Sequence, residues 1–282
     1  MDKEDTMSFE KETKKLTKHW KQYDKKTLKT YLTLNFHHPS MNLQSTWTRH
    51  FLIKEVYNNK YKKLMKKEIN HIQSLNQRRL KNQIITKDEL YKYTYVWQDI
   101  FKQEIQTNKI KVLEPACGSA NDYKILNKQN MDNILEYTGF DLCVNNVTNC
   151  KEMFPSSSFK IGNVLTIDDE DSKYDYVIVF DLIEHLSLEA GKKALDEMIR
   201  VSKKGVVVNF FNMEDDIDKS VENPVDLYHW NTLSKKEIKK YCEEQNLKVT
   251  VKKVWDFIPH EFKYRRGYNK KHYTFFMRKN EN

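Results

Sequence analysis

Apolar residues recur along this chain in two different rhythms. Up to about residue 108 the rhythm is helical. Trp47, Phe51, Tyr57, Tyr61, Leu64, Met65, Ile69 and Ile72 fall at helical spacing, with Ser45 or Thr46 ahead of them as a candidate N-cap. They predict one long amphipathic helix. A second helix is predicted from Thr86, where Glu89 completes a capping box and the stripe Leu90, Tyr93, Trp97, Phe101 and Ile105 follows. Both stripes carry more aromatic residues than isolated surface helices need. The two helices are therefore expected to pack over the edge of a crevice and help to form a pocket. Residues 1–15 are polar and charged, and are expected to be unstructured.

From Ile110 the rhythm changes, and short β-like runs alternate with helical stretches. Ile110–Glu114, Tyr137–Leu142, the pair Phe159 and Ile161, Tyr176–Phe180 and Val206–Phe211 read as strands. Tyr176–Phe180 is apolar on both faces, as a central parallel strand requires. Between them lie two helical stripes, one of Cys143, Val147, Cys150 and Phe154, the other of Leu188, Leu195, Met198 and Ile199. Gly205 is predicted to cap the second of these helices at its C-terminus. Ser234 and Glu237 form a capping box for a helix carrying Ile238, Tyr241 and Cys242. Leu247–Phe257 and His272–Met277 read as two late strands joined by a long basic loop. Such alternation predicts an α/β domain over residues 109–282, with a parallel sheet covered on both faces. A helical extension over residues 1–108 precedes it.

The 282 residues suffice for both parts. The longest apolar runs fall far short of the roughly 18 residues of a membrane span. Met1–Lys15 has no apolar signal region. A soluble, cytoplasmic protein with no membrane partner is expected. Four cysteines occur, none in a C-x-x-C pair, so buried free thiols are expected. The net charge of +9 admits a nucleic-acid partner. Lysine is nevertheless spread along the whole chain and interleaved with Glu and Asn, which reads as a compositional bias and not as a patch.

The change of rhythm also marks the first candidate chemistry. Val112–Asp122 is a strand, a turn of small residues around Gly118, and a helix start. Small side chains let a ligand approach the backbone, and the turn's N–H groups and the helix N-terminus offer donors and partial positive charge. A dinucleotide site would use the same parts. Asp141 ends the next strand, where an acid can bind ribose hydroxyls or cap the following helix. Over Ile110–Met277 these features together resemble the class I S-adenosylmethionine-dependent methyltransferases. The resemblance implies a Rossmann-like sheet of seven strands with a terminal antiparallel pair, and S-adenosylmethionine as cofactor. It implies that Glu114 holds the cofactor's amino-acid end, that Ala116 and Gly118 form the turn beneath it, and that Asp141, with Leu142 beside it, takes the ribose. Asn163 and Val164 are expected at the adenine, and Asp181 at the edge of the same site. Ala116 and Ala120 stand where the family usually has glycine. The turn is expected either to avoid positive φ there or to hold the cofactor slightly differently.

The second candidate cluster lies in Tyr174–Leu186. Asp181, Glu184 and His185 follow a strongly apolar strand, where open α/β sheets bind ligands. A helix starting near Leu182 would bring all three into one crevice. The segment resembles the Asp/Glu-x-x-Glu-His signature of small-molecule O-methyltransferases, and also the metal-dependent small-RNA 2′-O-methyltransferases. Later, Asp226–Ser234 gathers Tyr228, His229, Trp230 and Asn231 ahead of a helix. Asp181, His185 and His229 are the candidate catalytic residues, because an imidazole can deprotonate a hydroxyl near neutrality. Three function classes follow. One is O-methylation of a small hydroxylated metabolite or sugar, which requires no metal. Another is a metal-dependent RNA 2′-O-methyltransferase, with Asp181, Glu184, His185 and His229 around a divalent ion. The third is a binding module that holds the cofactor without catalysis. A small-molecule acceptor is the expected partner, and oligomeric state is not legible.

Overall fold

The computed structural model describes residues 39–56, 62–81, 83–103, 107–257 and 269–280. The expectations for residues 1–15, for Tyr57, Tyr61 and Ile105, and for the basic loop after Phe257 lie outside the described residues, as do those for the side chains of Leu90 and Tyr93. Three helices open the described chain: α1 (Pro39–Val56), α2 (Lys62–Leu80) and α3 (Lys87–Gln103). The single long helix expected from Ser45 or Thr46 is thus two. The first begins at Pro39, whose fixed φ suits a first helical turn, so Ser45 and Thr46 lie inside it. Leu64, Met65, Ile69 and Ile72 belong to α2. The capping box at α3 forms as expected. The Thr86 backbone N–H donates to Glu89 Oε2 at 3.0 Å, and the Glu89 N–H donates to Thr86 Oγ1 at 3.2 Å.

Glu68 ties the three helices together. It is buried, pairs with Arg49, and accepts from His50 Nε2 at 3.0 Å and from Trp97 Nε1 at 2.8 Å. Burial alone would raise its pKa. Arg49 and these hydrogen bonds outweigh burial and hold the carboxyl below its usual range. With one partner removed, a buried charge would be left unpaired, so the cluster fixes the helices' relative register.

The α/β part follows with β1 (Ile110–Pro115), α4 (Asn121–Lys128), β2 (Leu135–Asp141), α5 (Val144–Met153), β3 (Ser158–Ile161), β4 (Tyr174–Phe180), α6 (Leu188–Val201) and β5 (Ser202–Phe210). Four two-residue strands, β6 (Met213–Glu214), β7 (Pro224–Val225), β8 (Tyr228–His229) and β9 (Leu233–Ser234), lead to α7 (Lys235–Glu244). The late strands β10 (Leu247–Lys253) and β11 (Tyr273–Lys279) end the described chain. Seven strands form one sheet in the order β10-β11-β5-β4-β1-β2-β3. β1 to β5 run parallel to their neighbours, while β11 is antiparallel to both β5 and β10. The parallel α/β sheet is that expected from the alternation, and the seven Rossmann-like strands with a terminal antiparallel pair are those the resemblance implied.

Both faces of the sheet are apolar because alternate residues point to opposite sides. Val112, Tyr176, Ile178, Val207 and Phe276 face one way, toward α4, α5 and the N-terminal helices. Leu113, Val177, Val179, Val206, Val208 and Phe275 face the other, toward α6 and α7. The extension shares the first of these cores. Phe51 of α1 stacks on Phe276 at 5.1 Å between ring centroids and meets Tyr176 edge-on at 5.0 Å. The Tyr176 hydroxyl donates to Glu55 at 2.6 Å, and Glu55 pairs with Arg278. The described helices therefore cover a face of the sheet. None of their described side chains lines the crevice, although they were expected to pack over its edge. Trp47, Phe51, Trp97 and Phe101 belong instead to the core on this face of the sheet. Among the described residues no helix is long and apolar enough to cross a membrane.

Two capping expectations are corrected. Helix α6 ends at Val201, and Gly205 lies inside β5 with φ 153. A Cβ there would meet the Met277 carbonyl oxygen at 2.1 Å, so the close approach of β11 demands this glycine. At α7, Ser234 Oγ accepts from the Glu237 N–H at 3.2 Å, but Glu237 does not reciprocate. Its Oε2 accepts from Ser220 N at 2.8 Å instead.

Candidate active site

The order of the sheet reverses at β1, which lies between β2 and β4. A crevice opens beyond the carboxyl ends of these strands, as this topology dictates. It holds a cavity of about 410 Å³, lined from Glu114 at one end to Trp230 at the other.

One end is built from the turn after β1. Cys117 N donates to the Phe140 carbonyl at 3.0 Å, which ties the turn to β2. Ala116, Gly118 and Ala120 have φ of 51, 55 and 56. The turn therefore takes positive φ at both alanines, against the expectation that it might avoid it. Each alanine carries a strain of about 1–2 kcal/mol that glycine would not. Gly118 lines the cavity, and a Cβ built on it would meet nothing within 4 Å, so the space over it is open. Asp141 is buried at the end of β2. Its Oδ2 accepts from Gly118 N at 2.9 Å, and its Oδ1 from Cys143 N at 2.8 Å and Asn146 Nδ2 at 3.2 Å. It does not cap α5, whose N-cap is Cys143, but it braces the residues at that start and lines the cavity. Burial raises its pKa, and these hydrogen bonds oppose the rise.

Glu114 is buried, lines the same end and accepts from the Tyr137 hydroxyl at 2.7 Å. Burial, reinforced by the charge of Asp122, pushes its carboxyl well above the usual range. Leu142, Asn163 and Val164 also line the cavity. Asn163 Oδ1 accepts from Leu165 N at 3.0 Å, closing a local turn, so another donor would have to use its second lone pair. Two lining residues lie in the Val112–Asp122 segment, but the sequence assigns neither a role of its own. Asn121 and Asp122 open α4, and Asn121 Oδ1 is buried with no hydrogen-bond partner. Their position at a helix start after a small-residue turn was the only available signal.

The other end begins at Asp181. This residue adopts φ 46 after β4, a left-handed conformation that aspartate tolerates better than most residues. A short 3-10 turn, Ile183–His185, follows in place of the helix expected from Leu182. The turn separates the three polar residues. Asp181 and His185 line the cavity, whereas Glu184 is 0% exposed and turns away from it. Glu184 Oε1 accepts from Phe211 N, and its backbone carbonyl accepts from Asn231 N at 2.9 Å. Burial raises its pKa. It joins the tail of β5 to the later loop.

His185 Nδ1 lies 3.2 Å from the His229 backbone carbonyl. A carbonyl only accepts, so Nδ1 carries the proton and Nε2 of the neutral ring is the basic nitrogen. The His229 imidazole is not among the lining groups, and its Nε2 is 3.0 Å from Glu222. Among the described residues no group of three or more His, Cys, Asp or Glu side chains is placed to hold a metal ion. Asp181, Glu184, His185 and His229 do not converge as a ligand set. Phe180, Leu182, Leu186, Phe211 and Trp230 complete this end. Phe211 carried no chemical signal in the sequence, because only the fold brings it to this end of the cavity.

Residues 112–205 match a protein family described as "Methyltransferase domain". The matched segment runs from β1 through the turn, Asp141, Asp181 and His185 into β5. That segment is therefore similar to methyltransferase domains. No curated protein matches it. Several solved structures are similar to it. The cyclase SpnF is 11% identical with a TM-score of 0.48, over 67% of this chain and 82% of that one. A 1,6-didemethyltoxoflavin N1-methyltransferase from Burkholderia thailandensis, solved with S-adenosylhomocysteine, is 12% identical with a TM-score of 0.46, over 67% and 78%. A SAM-dependent methyltransferase from Methanosarcina mazei is 14% identical with a TM-score of 0.46, over 64% and 97%.

Proposed function

We propose that the protein methylates a hydroxyl group of a small acceptor, with His185 as general base. The observation that carries this reading is the fixed tautomer of His185. Its Nδ1–H is held by the His229 carbonyl while the ring lines the cavity beside Asp181. A base so oriented can accept a proton through Nε2 without first reorganising.

The residues at the other end fit the cofactor. An open space over Gly118 and a buried, unpartnered Asn121 Oδ1 await a ligand with donors. Glu114 and Asn121 would hold its amino-acid end, Asp141 with Leu142 its ribose, and Asn163 with Val164 its adenine. When bound, S-adenosylmethionine supplies an electrophilic sulfonium methyl whose C–S electron pair stays on sulfur as the new bond to oxygen forms. The chain's own contribution is position and proton removal. Holding the two ends of one cavity in a fixed relation converts an encounter into an intramolecular step.

Glu184 and His229 are engaged elsewhere, with Phe211 and Glu222, so the reading draws on no metal. Calorimetry tests it. S-adenosylhomocysteine should bind, NAD should not, and Asp141→Ala should weaken binding by about 1.5–3 kcal/mol, the worth of a hydrogen bond to a charged group. Tight NAD binding with no response to S-adenosylhomocysteine would sink it.

A further inference from the structure

The acceptor end of the cavity is walled by aromatic rings. Trp230 and Phe211 meet edge-on with centroids 5.5 Å apart. Trp230 is tilted against the His185 imidazole at 5.2 Å, and Tyr228 closes on the same imidazole edge-on at 5.8 Å. The frame is held by the backbone. Trp230 N donates to the Asn223 carbonyl at 2.8 Å, and Phe211 N to Glu184. Between them Asn231 is fully buried, its Nδ2 donating to the Leu186 carbonyl at 2.6 Å and its Oδ1 accepting from Asn223 N at 2.9 Å. Trp230 nevertheless remains 39% exposed, so part of a firmly seated indole is left uncovered at the cavity. The described lining at this end is otherwise poor in polar groups. Asp181, the His185 imidazole and the indole N–H are the polar side-chain groups there, set among Leu182, Leu186 and Phe211.

We propose that the acceptor is a planar aromatic hydroxyl compound, a phenol or hydroxylated heteroaromatic, that lies against Trp230 and Phe211 and turns its hydroxyl to His185 Nε2. This rests on the methyl-transfer reading above. Three physical arguments favour it over a sugar. Aromatic pairs gain about 0.5–1.5 kcal/mol beyond the area they bury. A polyol would bury several hydroxyls where few partners exist, at about 1–3 kcal/mol for each one left unpaired. Acidity points the same way. A phenolic hydroxyl has a pKa of about 10, whereas an alkyl alcohol lies far above that, near water. An imidazole matches the first far better as a proton acceptor. The proton passes from the phenolic oxygen to Nε2, and that oxygen forms the bond to the methyl carbon as its bond to sulfur breaks, leaving an aryl methyl ether and S-adenosylhomocysteine.

The test is calorimetry on the full chain with catechol, 1-naphthol and methyl glucoside as probes, each with and without saturating S-adenosylhomocysteine. The aromatic hydroxyls should bind in its presence and methyl glucoside should not. Trp230→Ala should weaken the aromatic probes about tenfold or more, and far more than it weakens S-adenosylhomocysteine. Thermal melts report whether that variant folds, and Trp230→Phe, which keeps a ring, should restore most of the affinity. Binding of S-adenosylhomocysteine with methyl glucoside preferred, or aromatic binding indifferent to Trp230, overturns the inference and leaves methyl transfer standing. Failure to bind S-adenosylhomocysteine removes the methyl-transfer reading and this inference with it.

Discussion

The two ends of the cavity are made of different materials. The end at the turn after β1 is backbone and carboxylate: a turn with three residues at positive φ, and Glu114 and Asp141 buried beside it. Most of it comes from one stretch, β1 to the start of α5. The end at Asp181 is side chain. It joins the turn after β4 to Phe211, which follows β5, and to Trp230, and it is stitched together by Glu184 and Asn231. On the proposed reading the first end takes the cofactor, which local backbone features can hold, and the second takes the acceptor, met by rings placed from remote segments. Substitutions at the two ends should accordingly separate binding of the cofactor from handling of the acceptor.

The largest effect is expected at His185. His185→Ala should lower turnover of an aromatic hydroxyl by about 10²–10⁴-fold, the usual worth of acid–base catalysis. A variant that melts lower yet turns over at the normal rate would show that the imidazole only packs between Trp230 and Tyr228.

At the opposite end, Glu114→Gln should weaken S-adenosylhomocysteine by about 1.5–3 kcal/mol, or roughly 10–150-fold. It should also change the pH dependence. Glu114 in the free protein holds its proton more tightly than an exposed glutamate, while a bound ammonium group favours the carboxylate. Affinity should therefore rise with pH through the raised pKa of Glu114, with release of a proton, and Glu114→Gln should flatten that rise. The same raised pKa sets a stability trend. The folded protein binds more protons than the unfolded one, so this contribution is fully present below the ordinary glutamate pKa and is lost as pH climbs through the raised value. Asp141 and Glu184, also raised, act in the same direction. Melting of the ligand-free protein across the range above the usual carboxylate pKa should show this decline, and Glu114→Gln should reduce it. A pH-independent affinity would mean that Glu114 does not meet the ammonium.

The smallest effect concerns the strained turn. Ala116→Gly removes the left-handed strain of a non-glycine residue and adds back some chain entropy, for a net gain of up to about 1 kcal/mol. A melt raised by a few degrees is expected. An unchanged or lowered melt would show that the Ala116 methyl packs usefully against its neighbours.

Much of the sheet was legible in the chain. Apolar runs marked β4 and β5, and the small-residue turn with Asp141 one strand later marked one end of the cavity. These signals are local: each depends on residues within one strand–turn–helix unit. The break between α1 and α2 was not legible, because the stripe continues through residues on both sides of it. Gly205 looked like a helix cap. Its reason lies across the sheet at Met277, which approaches from the antiparallel strand β11.

The candidate site divides along the same line. The chain alone determined that a small-residue turn and two acids follow parallel strands, since side-chain period and turn chemistry are properties of neighbouring residues. Only the tertiary structure decided what became of the polar cluster after β4. It sent Asp181 and His185 to the cavity and Glu184 to the loops, and it used His229 for its carbonyl. Trp47, Phe51, Trp97 and Phe101 of the N-terminal helices went to the face of the sheet for the same kind of reason. A side chain's partner is set by which distant segment packs against it, and the pattern of its own neighbours carries no record of that segment.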